Sequence, residues 1–153
     1  MRPAERLRYL VLAAQREGNR RLTQNLRVLG LTPSQSEVLR ILADRQPLTL
    51  TGLGELLICE SGTNPSRLVD RLVGAGLVAR ATALDDRRQV TLTLTAAGRT
   101  AEAGVREIEE RLYADLDAAS AGLDLGPTLE LLARAIAGQP AGDAFDRRVR
   151  LAG

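Results

Sequence analysis

Apolar residues recur at helical spacing toward both ends of the chain. From Pro3 to about Leu29, steps of three and four place them on one face of a helix, at Leu7, Leu10, Val11, Ala14, Leu22, Leu26 and Leu29. Near the other end, Thr95 is a good cap for a long amphipathic helix, and Gly126-Pro127 opens another. The tail from residue 139 to residue 153, with Phe145, Val149 and Leu151, is predicted to add a final helical turn or two.

The middle of the chain carries a series of helix-start signals. Thr32-Pro33 with Gln35 predicts a capping box followed by a helix that ends near Arg45. Thr51 is predicted to cap a third helix with Leu53, Leu56, Leu57 and Ile58 as its apolar side. Asn64-Pro65 predicts the start of a fourth helix, and Gly76 its left-handed end.

Short extended segments lie between and after these helices. Leu48-Thr49-Leu50 and residues 77–80 are predicted to be strands, and residues 90–94 alternate apolar and polar positions with period two. Residues 83–88 between the last two are predicted to form an exposed turn. The central unit is therefore three helices followed by a β-hairpin.

Composition excludes several classes of protein. The chain has no His and a single cysteine, Cys59, so histidine-based catalysis, an internal disulfide and a multi-thiolate metal site are all ruled out. No run of about 18 apolar residues is present, and the charged N-terminal stretch is unlike a signal peptide. We expect a cytoplasmic protein that is not an enzyme, with no metal, no cofactor and no membrane partner.

The net charge of +2 conceals a strongly uneven distribution. All 21 basic residues are Arg; residues 1–30 carry a net +5 and residues 61–90 a net +2, whereas residues 91–124 carry a net −4. The two basic segments are candidates for one face that binds an anionic partner.

Five short strings share their order and spacing with one family. They are Gly30-Leu31-Thr32-Pro33-Ser34-Gln35, Leu68-Val69-Asp70-Arg71-Leu72, Gly76-Leu77-Val78, Asp86-Arg87-Arg88 and Leu94-Thr95-Ala96-Ala97-Gly98. Together they make residues 5–136 resemble the MarR-type (multiple antibiotic resistance regulator) transcription factors. The resemblance implies a mainly α fold with a small β-hairpin wing. Its winged helix-turn-helix core would span residues 31–95, between helical dimerisation regions at 3–30 and 96–153.

The same resemblance implies a homodimer that binds a pseudo-palindromic site in double-stranded DNA. Such a protein regulates transcription, here as a repressor of its own or a neighbouring operon, and a small phenolic or anionic effector relieves the repression. The apolar stripes at the two ends of the chain agree with this, because a second subunit is an economical way to bury them.

Candidate DNA-contacting residues cluster around the start of the fourth helix, which would be the recognition helix. They are Ser61, Thr63, Asn64, Ser66, Arg67 and Arg71. The Arg67 side chain is long enough, and its guanidinium has the geometry, to bind guanine O6 and N7. For Ser61, Thr63 and Asn64, capping of the helix is an equally good explanation. Pro65 departs from the family pattern, because a proline at the first helical position starts this helix about one turn late.

The wing, the effector site and the thiol complete the set of candidates. Asp86-Arg87-Arg88 matches the family's wing, where Arg88 would enter the minor groove and Asp86 would orient it. Tyr9, Arg16, Arg20 and Tyr113 are the candidates for an effector cleft, with an interface or surface role as the alternative. Two other functions remain open: a redox-sensing regulator that acts through Cys59, and a winged-helix module that binds protein rather than DNA.

The wing assignment generates a direct prediction. Arg88→Ala should weaken operator binding by roughly 1–3 kcal/mol, because it removes a groove contact, and should leave dimerisation unchanged. A gel-shift titration together with size-exclusion chromatography measures both quantities. Normal operator affinity in the mutant would contradict the assignment.

Overall fold

The computed structural model describes residues 1–58, 64–82 and 90–152. Helices dominate this part of the chain, and three short strands form one small sheet. The helices are α1 (Pro3–Leu26), a 3-10 helix (Arg27–Leu29), α2 (Pro33–Arg45), α3 (Leu50–Gly54), α4 (Pro65–Gly74), α5 (Ala96–Ala119), α6 (Gly126–Ile136) and α7 (Pro140–Ala152). The strands are β1 (Leu48–Thr49), β2 (Val78–Thr82) and β3 (Val90–Leu94). The fold is therefore mainly α with a small β wing, as the sequence predicts.

The sheet places the wing strands beside the start of α3. The strand order is β1-β3-β2 with antiparallel pairing throughout; Leu48 lies opposite Leu92, and Val78 lies opposite Leu94. Leu92 and Val78 are buried in one continuous core with residues of α2, α3, α4 and α5. The wing is thus fixed at its base by the same core that holds the helix-turn-helix.

Most of the predicted helix starts are confirmed by cap geometry. Thr32 accepts a hydrogen bond from the backbone N–H of Gln35, whose side chain accepts from the Thr32 N–H at 2.9 Å. Asn64 and Thr95 cap α4 and α5 in the same manner. Because caps depend only on neighbouring residues, the local sequence is sufficient to predict them.

The prediction for the third helix is wrong. Thr49, not Thr51, is its cap, and its Oγ1 accepts from the Gly52 N–H at 3.0 Å. Pairing of β1 with β3 stops after Thr49, so the chain turns into a helix two residues earlier than expected. This helix ends at Gly54. Leu56 and Leu57 lie after it, in non-helical backbone, and their side chains are nevertheless buried.

The two ends of the chain also differ from expectation. The first α-helix ends at Leu26, and a single 3-10 turn leads to Gly30 at φ +65°. The tail forms a full 13-residue helix, α7, rather than a turn or two. Gly142, near its start, approaches the Ile136 carbonyl so closely that an added Cβ would lie 2.1 Å from that oxygen.

Gly98, in the first turn of α5, lies close to the backbone of Leu77, the residue before β2. The Thr95 N–H donates to the Leu77 carbonyl at 3.1 Å, and the Thr95 hydroxyl donates to the Gly76 carbonyl at 2.7 Å. A Cβ on Gly98 would lie 1.9 Å from the Leu77 carbonyl oxygen, so only glycine fits there.

Gly98→Ala should therefore lower the free energy of unfolding by about 3 kcal/mol or more, because backbone must move to relieve the contact. Gly74→Ala is the matched control: no atom lies within 4 Å of its Cβ position, so helix propensity should make it neutral or slightly stabilising. Denaturant unfolding of the two variants tests this, and equal stability would contradict the close approach.

Candidate nucleic-acid interface

The outer face of α4 presents two arginines that are exposed to solvent. Leu68, Val69 and Leu72 bury the inner face of this helix, whereas Arg67 and Arg71, one turn apart, are exposed. Neither guanidinium forms an ion pair or side-chain hydrogen bond with any residue that the structure describes. Within the described part of the chain, the helix therefore offers two guanidinium groups on one side that have no side-chain partner.

The start of α4 follows the late-start prediction. Pro65 is its first residue, and Asn64 caps it by accepting the Ser66 N–H at 2.9 Å. Asn64 thus performs the capping role that was its alternative to DNA contact, and the residue is exposed. Ser66 is half-buried in the first turn.

Asp70 is the acidic residue on this helix, and its partner lies on the wing. Arg80 of β2 donates to Asp70 Oδ1 at 2.6 Å, with both side chains about half exposed. A pair this exposed contributes at most about 1 kcal/mol. Its effect is geometric, because it links β2 to α4. It also gives Asp70, which lies one turn after Arg67 on the same helix, a partner on β2. The sequence gives no signal for this pair, because it depends on how β2 crosses α4.

Several predicted site residues lie outside the described ranges. These are Cys59, Ser61, Thr63, Asp86, Arg87 and Arg88. Their proposed roles remain predictions from the sequence.

A buried ion cluster joins the winged core to α5. Arg40 of α2 donates from Nε to Glu109 at 2.9 Å and from Nη1 to Glu102, and Arg106 also donates to Glu102 at 2.9 Å. The side chains of Arg40, Glu102 and Glu109 are 19%, 10% and 16% exposed. Burial alone would lower the pKa of Arg40, but hydrogen bonds and charge interactions with both carboxylates raise it, so the guanidinium stays charged.

A crevice of about 260 Å³ opens beside this cluster, where α2, α5 and α7 meet. Its polar lining includes Glu37, Arg40, Tyr113 and Arg148. Burial raises the pKa of the Tyr113 phenol, Glu109 raises it further, and Arg40 and Arg148 partly oppose the shift. The phenol therefore stays neutral and is able to donate; its hydroxyl lies 3.5 Å from Glu109 Oε2.

Of the four residues predicted for an effector cleft, the structure brings only Tyr113 to this crevice. Tyr9, Arg16 and Arg20 lie on exposed stretches of α1; Arg20 pairs with Glu17 at 2.8 Å, and Arg8 stacks over the Tyr9 ring. Sequence reasoning missed Arg40 and Arg148. For Arg40 a signal existed, because a charged residue inside the apolar run 38–42 requires a buried partner.

The helices outside the winged core leave large apolar side chains uncovered. Leu10 of α1 is 60% exposed, Leu116 of α5 is 66% exposed and Leu129 of α6 is 61% exposed. The same face of α6 forms an apolar groove with Phe145 of α7. Large apolar side chains left uncovered in this number are typical of a protein–protein interface.

Within the described ranges, no group of three or more His, Cys, Asp or Glu side chains is placed to hold a metal ion. Nor does any helix in that part of the chain have the length and apolar character needed to cross a membrane.

Comparison with known proteins finds one matching family and several similar structures. Residues 31–90 match the MarR family. No curated protein sequence matches the chain. Wild-type apo MarR from E. coli is 27% identical, with 90% of this chain and 98% of that chain covered at a TM-score of 0.65.

Two structures determined with DNA are also similar. A mutant of E. coli MarR complexed with operator DNA is 25% identical, with 86% of this chain and 93% of that chain covered at a TM-score of 0.69. The S. aureus MepR–DNA complex has a TM-score of 0.75, with 85% of this chain and 95% of that chain covered; at 19% identity it shows the fold alone.

The buried ion cluster should be costly to break. Arg40→Met removes the positive charge that binds the buried carboxylates of Glu102 and Glu109. We therefore expect the free energy of unfolding to fall by about 3 kcal/mol. Arg134→Met removes an equally close but exposed pair with Glu130 and should cost less than about 1 kcal/mol. Denaturant unfolding distinguishes the two, and an equal loss in both variants would contradict the structural importance of the cluster.

Proposed function

We propose that this chain, whose residues 31–90 match the MarR family, is a sequence-specific DNA-binding regulator of transcription. The observation that carries the proposal is the outer face of α4, where Arg67 and Arg71 are exposed and unpaired within the described residues. Two guanidinium groups one turn apart on an exposed helix suit the major groove, where Arg binds guanine O6 and N7. The same feature favours DNA over a protein partner for this winged helix.

The regulator acts as a homodimer in this proposal. The uncovered apolar residues of α1, α5 and α6 support it, because a second copy would bury them. Residues 3–30 and 96–153 then form the dimerisation region around the winged cores at 31–95. Two symmetric cores read a pseudo-palindrome whose half-sites lie roughly one helical turn apart. In this proposal the regulator acts in the cytoplasm, where a bacterial-type operator would lie.

The wing and the start of α4 complete the proposed DNA interface. Arg88, oriented by Asp86 and accompanied by Arg87, enters the minor groove, where a narrow width favours arginine. Ser61, Thr63, Asn64 and Ser66 contact the backbone near the N-terminus of α4, where exposed amides favour phosphate.

Repression and its relief by a small anionic or phenolic compound form the finer part of the proposal. The crevice beside Arg40, Tyr113 and Arg148 supports it, since it combines two guanidiniums with a phenol between the winged core and α5. An anion there would compete with Glu37 and Glu109 for the guanidiniums. It would thereby change how the core is held on α5.

A gel-shift titration over a salt series, against the DNA upstream of the protein's own gene, tests the proposal. Binding should weaken steeply as salt rises, because phosphate contacts release counterions. Arg67→Ala should weaken specific binding by roughly 1–3 kcal/mol and relax the preference at one base pair of each half-site. Arg134→Ala removes the same charge from exposed α6 and should change little. The absence of a bound species, or binding that does not depend on salt, would contradict the proposal.

A further inference from the structure

A row of arginines follows one face of α1, including the residue on either side of the helix. The row consists of Arg2, Arg6, Arg16, Arg20 and Arg27. Because each residue of a helix turns the side-chain direction by about 100°, these five directions fall within an arc of about 80°. All five residues are exposed. We call this row the arginine face.

Little negative charge lies beside the arginine face. Two residues of α1 are acidic, and one of them, Glu17, pairs with Arg20 at 2.8 Å. Arg6, Arg16 and Arg27 form no ion pair with any side chain in the described ranges. The arginine face therefore keeps three positive charges that no described carboxylate neutralises.

The opposite face of α1 is apolar. Leu22 and Leu26 of that face pack in or against the core, and Leu26 is completely buried. Leu7 and Val11 continue the same face toward the N-terminus and are exposed in the single chain. A second copy that covers this apolar face leaves the arginine face open, because the two faces point in opposite directions. The arginine face is thus available to a further partner in the proposed dimer.

The shape and the charge of the arginine face fit the backbone of duplex DNA. The 24 residues of α1 span about 36 Å, so the guanidinium groups form a line rather than a cluster. Duplex DNA offers one negative charge for about every 1.7 Å of its axis, and arginine binds phosphate with two parallel hydrogen bonds. A line of cations therefore finds several phosphates within its length.

An anionic membrane fits the arginine face less well than DNA does. An amphipathic helix binds a membrane with its apolar face inserted below the headgroups. That orientation would direct the arginine face away from the lipid phosphates and into water. The opposition of the two faces therefore favours a partner that contacts charge alone.

The arginine face is separate from the surface that α4 offers to DNA. The main packing partners of α1 are α5 and α2, whereas those of α4 are α2, α3 and β2. Arg67 and Arg71 point outward from α4, and the arginine face points away from the core on α1. We therefore expect a duplex bound to α4 to leave the arginine face uncovered.

We propose that the arginine face is a second DNA-binding surface, which holds the phosphate backbone of another duplex whatever its sequence. A dimer bound to its operator through α4 thereby bridges two segments of DNA. The bridging rests on the proposed function, whereas the binding of DNA by the arginine face does not.

A chain with Arg67→Ala and Arg71→Ala, in which α4 can no longer bind DNA, tests the arginine face by itself. This chain should bind a duplex of arbitrary sequence in a salt-dependent manner. Addition of Arg6→Gln, Arg16→Gln and Arg27→Gln should weaken that binding roughly tenfold or more. The slope of log K against log salt should fall by about three, because three phosphate contacts are lost. Fluorescence anisotropy over a salt series measures both quantities.

The matched control removes three exposed arginines from other helices, with Arg111→Gln, Arg134→Gln and Arg150→Gln. It should leave the affinity and the salt slope nearly unchanged. Equal losses in the two triple variants would show that only total charge matters and would overturn the proposal. Lysine in place of the three arginines of the face should retain most of the binding, since lysine also binds phosphate as a point charge.

Two further results of the same experiment would also overturn the proposal. One is the absence of any DNA binding by the chain that carries Arg67→Ala and Arg71→Ala. The other is binding of that chain to phosphatidylglycerol vesicles in place of DNA. If the triple Gln variant fails to fold, Arg16→Gln alone should lower the salt slope by about one, and an unchanged slope would count against the proposal.

Capture of a second duplex tests the bridging. Operator DNA fixed to beads and saturated with the wild-type protein should retain a labelled duplex of unrelated sequence. The variant with Arg6→Gln, Arg16→Gln and Arg27→Gln should still bind the operator but should no longer retain the second duplex. If no second duplex is retained by the wild type, and this variant binds a long operator duplex more weakly, the arginine face contacts the same duplex and the bridging is overturned. If the wild type binds no operator, the proposed function fails, and the duplex of arbitrary sequence still tests the arginine face.

Discussion

The pairing of Arg40 with Glu102 and Glu109 is the interaction on which the arrangement of the chain depends. Arg40 pairs with both carboxylates, Arg106 adds a second positive charge at Glu102, and none of the three mostly buried groups tolerates loss of its partners at low cost. Since charge-assisted hydrogen bonds are directional, the pairing fixes the angle between α2 and α5 as well as holding them together. The core beneath it, including Leu26, Val105 and Ile108, is continuous with that of the winged unit.

The elements that the proposed function uses lie on either side of this junction, the contact of α2 with α5 through Arg40, Glu102 and Glu109. On one side, α4 is anchored by its buried leucines and by Asp70–Arg80, with Arg67 and Arg71 facing outward. On the other side, α5 continues into α6, whose apolar residues are uncovered in a single chain. A second copy that packs on this surface would hold two α4 helices at a set separation, and the junction would transmit any change in that separation.

Local rules predicted much of the fold. The starts of α2, α4, α5 and α6 follow from caps and prolines that involve only adjacent residues, and the late start of α4 follows from Pro65. The errors occur where distant contacts decide. The pairing of β1 with β3 moved the cap of the third helix to Thr49, and the tail forms a full helix that buries Ala144 and reaches Glu37 through Arg148. In the candidate site, the exposure of Arg67 and Arg71 follows from the apolar stripe opposite them. The pairs of Arg40 and Arg148 depend on which helices meet, which no local pattern contains.

The central claim is that two winged cores are held together on one stretch of DNA. Sedimentation equilibrium of the chain with a duplex that carries an inverted repeat tests it most directly. The account predicts a free species with twice the mass of one chain and a complex of two chains per duplex. A monomer in solution that binds DNA as one chain per duplex would contradict it.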